Sequence, residues 1–166
     1  TNLLANSSFS HDTGYTNWNT TGNVTWSYNN VAYMEYTGSS TASPNYSEVR
    51  QTVGGLTVGE WYTLQFNILC CEANTNFHLI AYNSSENHET AFTSTNAGDV
   101  YGVKAMTFQA QSTSLTFYLR VYSGGLNFSQ GKLERGSVAT DWSANPADNA
   151  TVTSVDTLSQ TVDGLS

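Results

Sequence analysis

The sequence predicts an all-β chain that folds as a jelly-roll β-sandwich and is followed by a short C-terminal helix. Three observations support this fold class. Apolar and polar side chains alternate with a period of two, turn residues separate the alternating segments, and the period changes after Trp142. Alternation of this kind is typical of strands with one buried face. Several such strands without a convincing helix between them favour a sandwich or jelly roll.

The alternation is clearest in three segments, 62–71, 77–82 and 115–122. In the last of them, Phe117 and Leu119 alternate with Tyr118 and Arg120, so the aliphatic and polar phases face opposite sides of a sheet. Turn signals separate the predicted strands. They are Gly54-Gly55, Gly59-Glu60, Asn83-Ser84-Ser85, Gly98-Asp99 and Gly124-Gly125. The pattern indicates half-buried antiparallel strands.

The period changes near residue 144, which divides the chain into a sandwich domain, 1–143, and a helical segment, 144–166. Asn145 is suited to cap a helix, Pro146 to its first position, and Asp148 to its first turn. Apolar residues then recur at the spacing of a coiled-coil seam. They are Val155, Leu158, Val162 and Leu165. A helix of two heptads is only marginally stable by itself. We therefore expect one of two arrangements: the helix oligomerises, with a parent chain that continues past Ser166, or it folds back on the sandwich.

Composition narrows the classes of partner. Charged residues make up only 11% of the chain and its net charge is −8, with five Lys and Arg in total. Binding to nucleic acid or to an anionic membrane surface needs clustered basic residues, so both are disfavoured. No apolar run approaches the roughly 18 residues of a membrane-spanning helix. The surface instead offers Asn, Ser, Thr and Tyr, which suit a neutral ligand.

The two cysteines, Cys70 and Cys71, are adjacent in a predicted strand. Neighbouring strand residues point to opposite faces, so one buried and one more exposed thiol are expected, with no disulfide framework. No Cys or His spacing matches a zinc site. The sequence therefore predicts no metal site from its cysteines or histidines.

Aromatic rings and amides are the best candidates for a functional site. Neutral saccharides stack on aromatic faces and form hydrogen bonds with planar polar groups. We predict that the polar strand phases, together with two N-terminal tryptophans, bind saccharide. The candidate residues are Trp18, Trp26, Gln65, Asn67, His78, Tyr82, Tyr118, Arg120 and Tyr122. Two alternatives remain open: the tyrosines simply cover a solvated sheet face, and Trp18 is a plug beneath the sheet.

Catalysis is not predicted. A glycosidase needs two facing carboxylates, and Glu35, Glu48, Glu72 and Asp99 stand in no distinctive context. No G-x-S-x-G elbow, P-loop or dinucleotide fingerprint occurs in the chain. We therefore expect the protein not to be an enzyme.

Two sets of motifs resemble known families. The run KLERGSVATDWSANPAD, residues 132–148, resembles the segment that closes β-sandwich modules in tail and baseplate proteins of phages infecting Gram-positive bacteria. Four further segments follow the order found in carbohydrate-binding modules grouped with families 4, 9 and 22. They are NLLANSSFS, Trp18, VRQTVGGLTVGEWYTLQFNI and TFQAQSTSLTFYLRVYSGGLNFSQGKLERG.

The second resemblance also implies a structural Ca²⁺ in many members, held partly by a Glu after the N-terminal Phe and an Asp on the last strand. Here Ser10 follows Phe9, and Ser129 and Gln130 occupy the later segment. Hard cations prefer carboxylate and carbonyl oxygens. We therefore predict no cofactor, and the calcium that the resemblance implies is placed in doubt.

Together the resemblances imply a non-catalytic host-adhesion module in the virion, at a phage tail tip or baseplate, acting outside the host cell. Its expected partners are a bacterial cell-wall or surface saccharide and other tail proteins, with a homotrimer formed through the C-terminal helix. Two alternatives are an architectural tail domain that mediates protein–protein contacts and a binding module of a secreted bacterial glycoside hydrolase.

Overall fold

The computed structural model describes residues 1–148, and their regular structure is almost entirely antiparallel β. A 3-10 turn, Tyr28–Asn30, separates the second and third strands. The strands are β1 (Asn19–Thr21), β2 (Asn23–Ser27), β3 (Val31–Tyr36), β4 (Ser47–Val53), β5 (Trp61–Cys71), β6 (Thr75–Tyr82), β7 (Asn87–Ser94), β8 (Gly102–Gln109) and β9 (Leu115–Arg135). The predicted strands in segments 62–71, 77–82 and 115–122 lie in β5, β6 and β9.

The strands form two five-stranded layers that share β9. The front sheet has the order β1-β4-β9-β6-β7, and the back sheet has the order β2-β3-β9-β5-β8. Residues 115–123 of β9 pair in the front sheet, and residues 124–135 pair in the back sheet. The long strand thereby joins the two layers, and the predicted all-β jelly-roll sandwich is confirmed.

β9 changes sheet at Gly124. This residue has a φ of +75°, and a Cβ there would lie 2.7 Å from the Cα of Thr75. Only glycine fits so close an approach in a left-handed conformation. The prediction that Gly124-Gly125 forms a turn between two strands is wrong. The pair is a bend within one strand, since hydrogen-bonded partners continue on both sides of it.

The core lies between the inner faces of the two sheets. Phe66, Phe77, Phe117 and Phe128 are fully buried there. Removing each ring from water stabilises the fold by about 1.5–3 kcal/mol, so burial of these four rings stabilises the packing of the two sheets against each other. The N-terminal segment closes one end of the core through Asn2, whose amide donates to the carbonyl of Gly131 at 2.9 Å.

Residues 137–142, called here the closing segment, run over the outer face of the back sheet. The Lys132 ammonium donates to the hydroxyl of Thr140 at 2.9 Å and to the carbonyl of Asp141 at 2.7 Å. It also pairs with Glu134 at 3.5 Å. The indole of Trp142 donates to the carbonyl of Gly131 at 3.0 Å. These contacts give a structural reason for the sequence KLERGSVATDW, in which the polar residues hold the segment down.

The chain turns helical at residues 146–148. The side chain of Asn145 accepts a hydrogen bond from the backbone N–H of Ala147 at 2.8 Å, which confirms the predicted cap. The predicted seam formed by Val155, Leu158, Val162 and Leu165 lies outside the described residues, and the 143/144 domain boundary stays a prediction. Among residues 1–148, no helix is long and apolar enough to cross a membrane.

The two cysteines are free thiols, and they differ in exposure as the sequence predicts. Cys71 is buried and Cys70 is exposed. Burial raises the pKa of the Cys71 thiol to about 11, which keeps it protonated at neutral pH. Cys71 therefore behaves as a small core residue.

Candidate functional site

The outer face of the front sheet brings several polar and aromatic side chains together. In β9, Tyr118, Arg120 and Tyr122 point outward because the alternating residues between them are buried in the core. The strand register sets Ile80 of β6 opposite Tyr118 and His78 opposite Arg120. The surface formed by Tyr46, His78, Tyr82, Tyr118, Arg120 and Tyr122 is called here the tyrosine face.

Arg120 is held at the centre of the face by Glu48. Its Nε donates to one oxygen of Glu48 at 2.7 Å, and Nη1 of Arg50 donates to the other at 2.9 Å. The Glu48 side chain is only 3% exposed, so two guanidinium partners offset the cost of burying its charge. Burial lowers the pKa of Arg120, but the Tyr122 hydroxyl and Glu48 raise it more, and the net pKa is raised.

The guanidinium of Arg120 also orders the surrounding rings. Its central carbon lies 4.0 Å from the ring centre of Tyr46, 5.0 Å from that of Tyr118 and 5.7 Å from that of Tyr122. Cation–π attraction of this kind is worth about 0.5–2 kcal/mol per ring, depending on exposure. Nη1 of Arg120 donates to the Tyr122 hydroxyl at 3.0 Å. The rings are thus held in place before any ligand arrives.

His78 is positioned from both sides. Its Nδ1 lies 2.5 Å from a carboxylate oxygen of Glu89, and its Nε2 lies 3.2 Å from the amide oxygen of Asn76. The imidazole meets the ring of Tyr122 edge-on, with centres 4.6 Å apart. These contacts fix the orientation of His78 beside the tyrosines.

A depression of about 200 Å³ opens between β6, β7 and β9. Tyr82, Asn87, Glu89, Tyr118 and Arg120 line it around an apolar floor that Ile80 supplies. Tyr82 is 46% exposed, so much of its ring is free to contact a ligand. Burial raises the pKa of Tyr118, and the Glu48 charge raises it further, so the phenol stays protonated and can donate a hydrogen bond.

Five of the predicted site residues share this face, as expected from their strand phase. They are His78, Tyr82, Tyr118, Arg120 and Tyr122. Sequence reasoning missed Tyr46, Arg50 and Asn87, which the register brings beside them. The alternation of Val49 and Gln51 with Arg50 in β4 was the available signal for the second arginine.

Gln65 and Asn67 do not belong to the tyrosine face. They lie on β5 in the back sheet, where Gln65 pairs with Lys132 and Asn67 with Ser129. The polar phases of β5 and of the first half of β9 therefore do not form one platform, and the saccharide-binding role of Gln65 and Asn67 stays a prediction. Gln65 and Asn67 do point to the outer face of their strand, as their alternation with apolar residues predicts. However, β5 pairs with the second half of β9, and the tyrosines are on the first half.

The two N-terminal tryptophans are also away from this face. Trp18 is 7% exposed and packs against Phe9 with ring centres 4.9 Å apart, in agreement with the alternative prediction of a plug beneath the sheet. Trp26 lies on β2 of the back sheet and stacks on Tyr15 at 4.7 Å. Neither tryptophan lies on the tyrosine face, and the predicted role of Trp26 in stacking a ligand from the N-terminal region stays a prediction.

The carboxylates considered for catalysis are bound by other groups. Glu48 is held by the two arginines, while Glu35 and Glu72 both accept from the Tyr33 hydroxyl, the former at 2.9 Å. Burial raises the pKa of Tyr33, and the two carboxylates raise it further. These groups are engaged with protein partners, an arrangement that suits structural roles.

The positions considered for calcium do not fit a hard cation. Ser10 forms a β-bridge to Val31, and Gln130 donates its backbone N–H to the carbonyl of Ser8 at 3.2 Å. Neither position supplies a carboxylate. Within residues 1–148, no three His, Cys, Asp or Glu side chains form a group suited to a metal.

Comparisons with known proteins give a match in structure. No protein-family model matches the sequence, and no curated protein matches it significantly. Among solved structures, the fold is similar to TmCBM61, a family 61 module solved with β-1,4-galactotriose. The TM-score is 0.54 at 14% identity, covering 82% of this chain and 99% of that one.

Two larger proteins contain a similar unit. One is the Clostridium thermocellum xylanase 10B fragment with its CBM22-1 and GH10 modules, solved with xylohexaose, with a TM-score of 0.54 at 14% identity over 87% of this chain and 30% of that one. The other is the enzymatically active domain of bacteriophage CBA120 tailspike protein 4, with a TM-score of 0.55 at 16% identity over 81% and 21%. The chain spans less than a third of either protein. At these identities the likeness shows the fold, which is that of carbohydrate-binding modules.

Proposed function

We propose that this chain is a non-catalytic module that binds saccharide on its tyrosine face. The observation that carries the proposal is the depression between β6, β7 and β9, where exposed tyrosine rings stand beside amide and charged groups. Such a surface offers stacking to the C–H faces of a sugar and hydrogen bonds to its hydroxyls. The fold shared with carbohydrate-binding modules supports the same assignment.

Each group on the face has a distinct part in this proposal. Tyr82 and Tyr118 supply the rings on which a sugar stacks, while Asn87 and Glu89 supply hydrogen-bond partners for its hydroxyls. Arg120 acts by positioning the tyrosines, because its guanidinium is shared among their rings and Glu48. A binding face of pre-positioned rings loses less conformational entropy when a ligand is bound.

Host adhesion by a phage tail or baseplate protein is the setting that we favour. The closing sequence KLERGSVATDW and the fold shared with a phage tailspike domain support it. In this setting the module acts in the virion, at the host surface, on cell-wall polysaccharide, teichoic acid or a related saccharide. Several copies, arranged with other tail proteins and through a trimeric C-terminal helix, would convert weak individual sites into firm attachment.

A module attached to a secreted glycoside hydrolase is the second candidate. The xylanase that joins a similar unit to a GH10 module supports it. The genes beside this one distinguish the two settings. Tape-measure and holin genes beside this one favour the phage, and a catalytic domain in the same chain favours the hydrolase.

The binding assignment is tested with fluorescently labelled protein on a glycan array, on intact Gram-positive cells and on purified wall polysaccharide. We expect Tyr82→Ala and Tyr118→Ala each to weaken binding by about 1–3 kcal/mol, the range measured for base–aromatic stacking. The matched control is Tyr28→Ala, since Tyr28 is 88% exposed but lies in the turn after β2. It should bind as the unaltered chain does.

Two outcomes would overturn the proposal. One is full binding by folded Tyr82→Ala and Tyr118→Ala chains, which would exclude the tyrosine face. The other is a failure to bind any saccharide, cell or wall fraction. That result would favour the architectural role in which the sandwich makes protein–protein contacts within a tail.

A further inference from the structure

A second depression, of about 550 Å³, lies on the outer face of the back sheet. It is bounded by β5, by the edge strand β8 and by the closing segment, and it is called here the Trp142 pocket. It is separated from the tyrosine face by the full thickness of the sandwich, because the two surfaces are the outer faces of opposite sheets. Gln65, Asn67, Val103, Gln130, Asp141 and Trp142 contribute to its lining.

Gln65 is the unusual residue of this pocket. It is only 2% exposed, and its amide nitrogen donates to the carbonyl of Thr140 at 3.1 Å. Its amide oxygen is the one buried side-chain polar atom among the described residues that accepts no hydrogen bond. The neighbouring Lys132 has three N–H donors, and they already face the Thr140 hydroxyl, the Asp141 carbonyl and, at 3.5 Å, the Glu134 carboxylate. Buried polar atoms are nearly always satisfied, so this oxygen calls for a donor from outside the protein.

The other lining groups favour a ligand that carries several donors. Asp141 contributes a carboxylate, and Asn67 contributes an amide whose nitrogen donates to Ser129 at 3.4 Å. Asp141 is the pocket's charged lining residue, so an anionic ligand is disfavoured there. Apolar surface completes the site: Val103 is 55% exposed, and the half-buried indole of Trp142 is fixed by its bond to Gly131.

We propose that the Trp142 pocket is a second saccharide-binding site, which takes a neutral sugar unit. A sugar hydroxyl donates to the Gln65 amide oxygen, further hydroxyls meet Asn67 and Asp141, and the C–H surface of the ring packs against Val103 and Trp142. Neutral sugars combine these donors and apolar faces in one small molecule.

The test uses the ¹⁵N-labelled 166-residue chain, titrated by NMR with β-1,4-galactotriose, xylohexaose and chitotriose. We expect at least one of them to shift the side-chain amide signals of Gln65 and Asn67 and the indole signal of Trp142, in a saturable way. Asn67→Ala should weaken this binding about fivefold or more, the equivalent of one lost hydrogen bond. Gln109→Ala is the matched control, because Gln109 lies on the same strand face as Val103 but outside the pocket.

The outcomes separate this proposal from the previous one. Pocket shifts that persist in the Tyr118→Ala chain support an independent second site. Shifts confined to the tyrosine face, or an affinity at the pocket that Asn67→Ala leaves unchanged, overturn the second site and leave the first intact. A titration that moves no pocket signal with any of the three sugars also overturns the second site, and the first proposal is then decided by the array and cell-binding experiment alone.

Discussion

At the residue scale, three buried carboxylates are each held by defined partners. Glu48 is held by two arginines, Glu134 by Lys132 and Thr140, and Glu86 by His88. Each of these carboxylates is at least nine-tenths buried and has more than one donor. Because burying an unpaired charge is costly, these sites tie strands and loops to defined partners.

The buried carboxylates predict the acid sensitivity of the fold. Burial raises the pKa of Glu134, but hydrogen bonds from Thr140 and the charge of Lys132 lower it more, so the net pKa falls below the ordinary value of 4.5. A depressed pKa in the folded state stabilises the fold above the unfolded-state pKa and loses that effect as the pH falls through the folded value. We expect urea midpoints to be constant near neutrality and to drop below about pH 4.5.

Glu134→Gln is the variant that isolates this effect. It keeps the shape of the side chain but removes the titrating group, so its stability should vary less with pH below 4.5 than that of the unaltered chain. Glu60→Gln, at an exposed position, serves as the control and should retain the full acid dependence. Parallel acid profiles for the unaltered and Glu134→Gln chains would contradict the assignment.

At the element scale, β9 makes the two sheets one structure. Its 21 residues pair with four other strands, and the change of partners occurs at Gly124. The bend at Gly124 places the two halves of β9 in different sheets. The tyrosine face and the Trp142 pocket therefore lie on opposite outer faces of the sandwich. The strand also carries core rings in both halves, with Phe117 in the front sheet and Phe128 in the back sheet.

Gly124→Ala is expected to destabilise the protein severely. The new Cβ would meet the Thr75 hydroxyl at 2.3 Å and the Thr75 Cα at 2.7 Å, and the backbone part of that clash cannot rotate away. A left-handed φ adds a cost of about 1–2 kcal/mol for a residue with a Cβ. Urea denaturation should show a loss greater than this conformational cost alone.

Gly55→Ala separates the two contributions. Gly55 has nearly the same φ, +72°, but nothing lies within 4 Å of the added Cβ. It should therefore show only the conformational cost, about 1–2 kcal/mol. Equal losses in the two variants would show that Thr75 yields to the added methyl group and that the bend is less constrained than we argue.

At the scale of the whole molecule, the sandwich presents two unlike surfaces. The front sheet exposes aromatic rings ordered by a central arginine, and the back sheet is crossed by the closing segment that leads to the C-terminal helix. A binding face and a point of attachment on opposite sides would let several copies face a target together. Assembly through the C-terminal helix would therefore add to the affinity of a weak site.

The oligomerisation that the C-terminal seam predicts is tested by light scattering over a concentration series. We expect the 166-residue chain to increase in mass with concentration, and a chain ending at Asp148 to remain monomeric. Apolar a and d positions exclude water only when helices associate, so Leu158→Ser should reduce the effect. A 166-residue chain that stays monomeric at the highest concentration would favour a helix folded back on the sandwich.

The sequence by itself determined the strands in segments 62–71, 77–82 and 115–122, their buried faces and the cap at Asn145, because these features depend on neighbours within a few residues. The inward phase of Phe117 and the outward phase of Tyr118 could be predicted in this way. The tertiary structure decided which strands are neighbours. It separated Gln65 from the tyrosines and made Gly124 a bend, because pairing partners far apart in sequence are selected by the packing of the whole core.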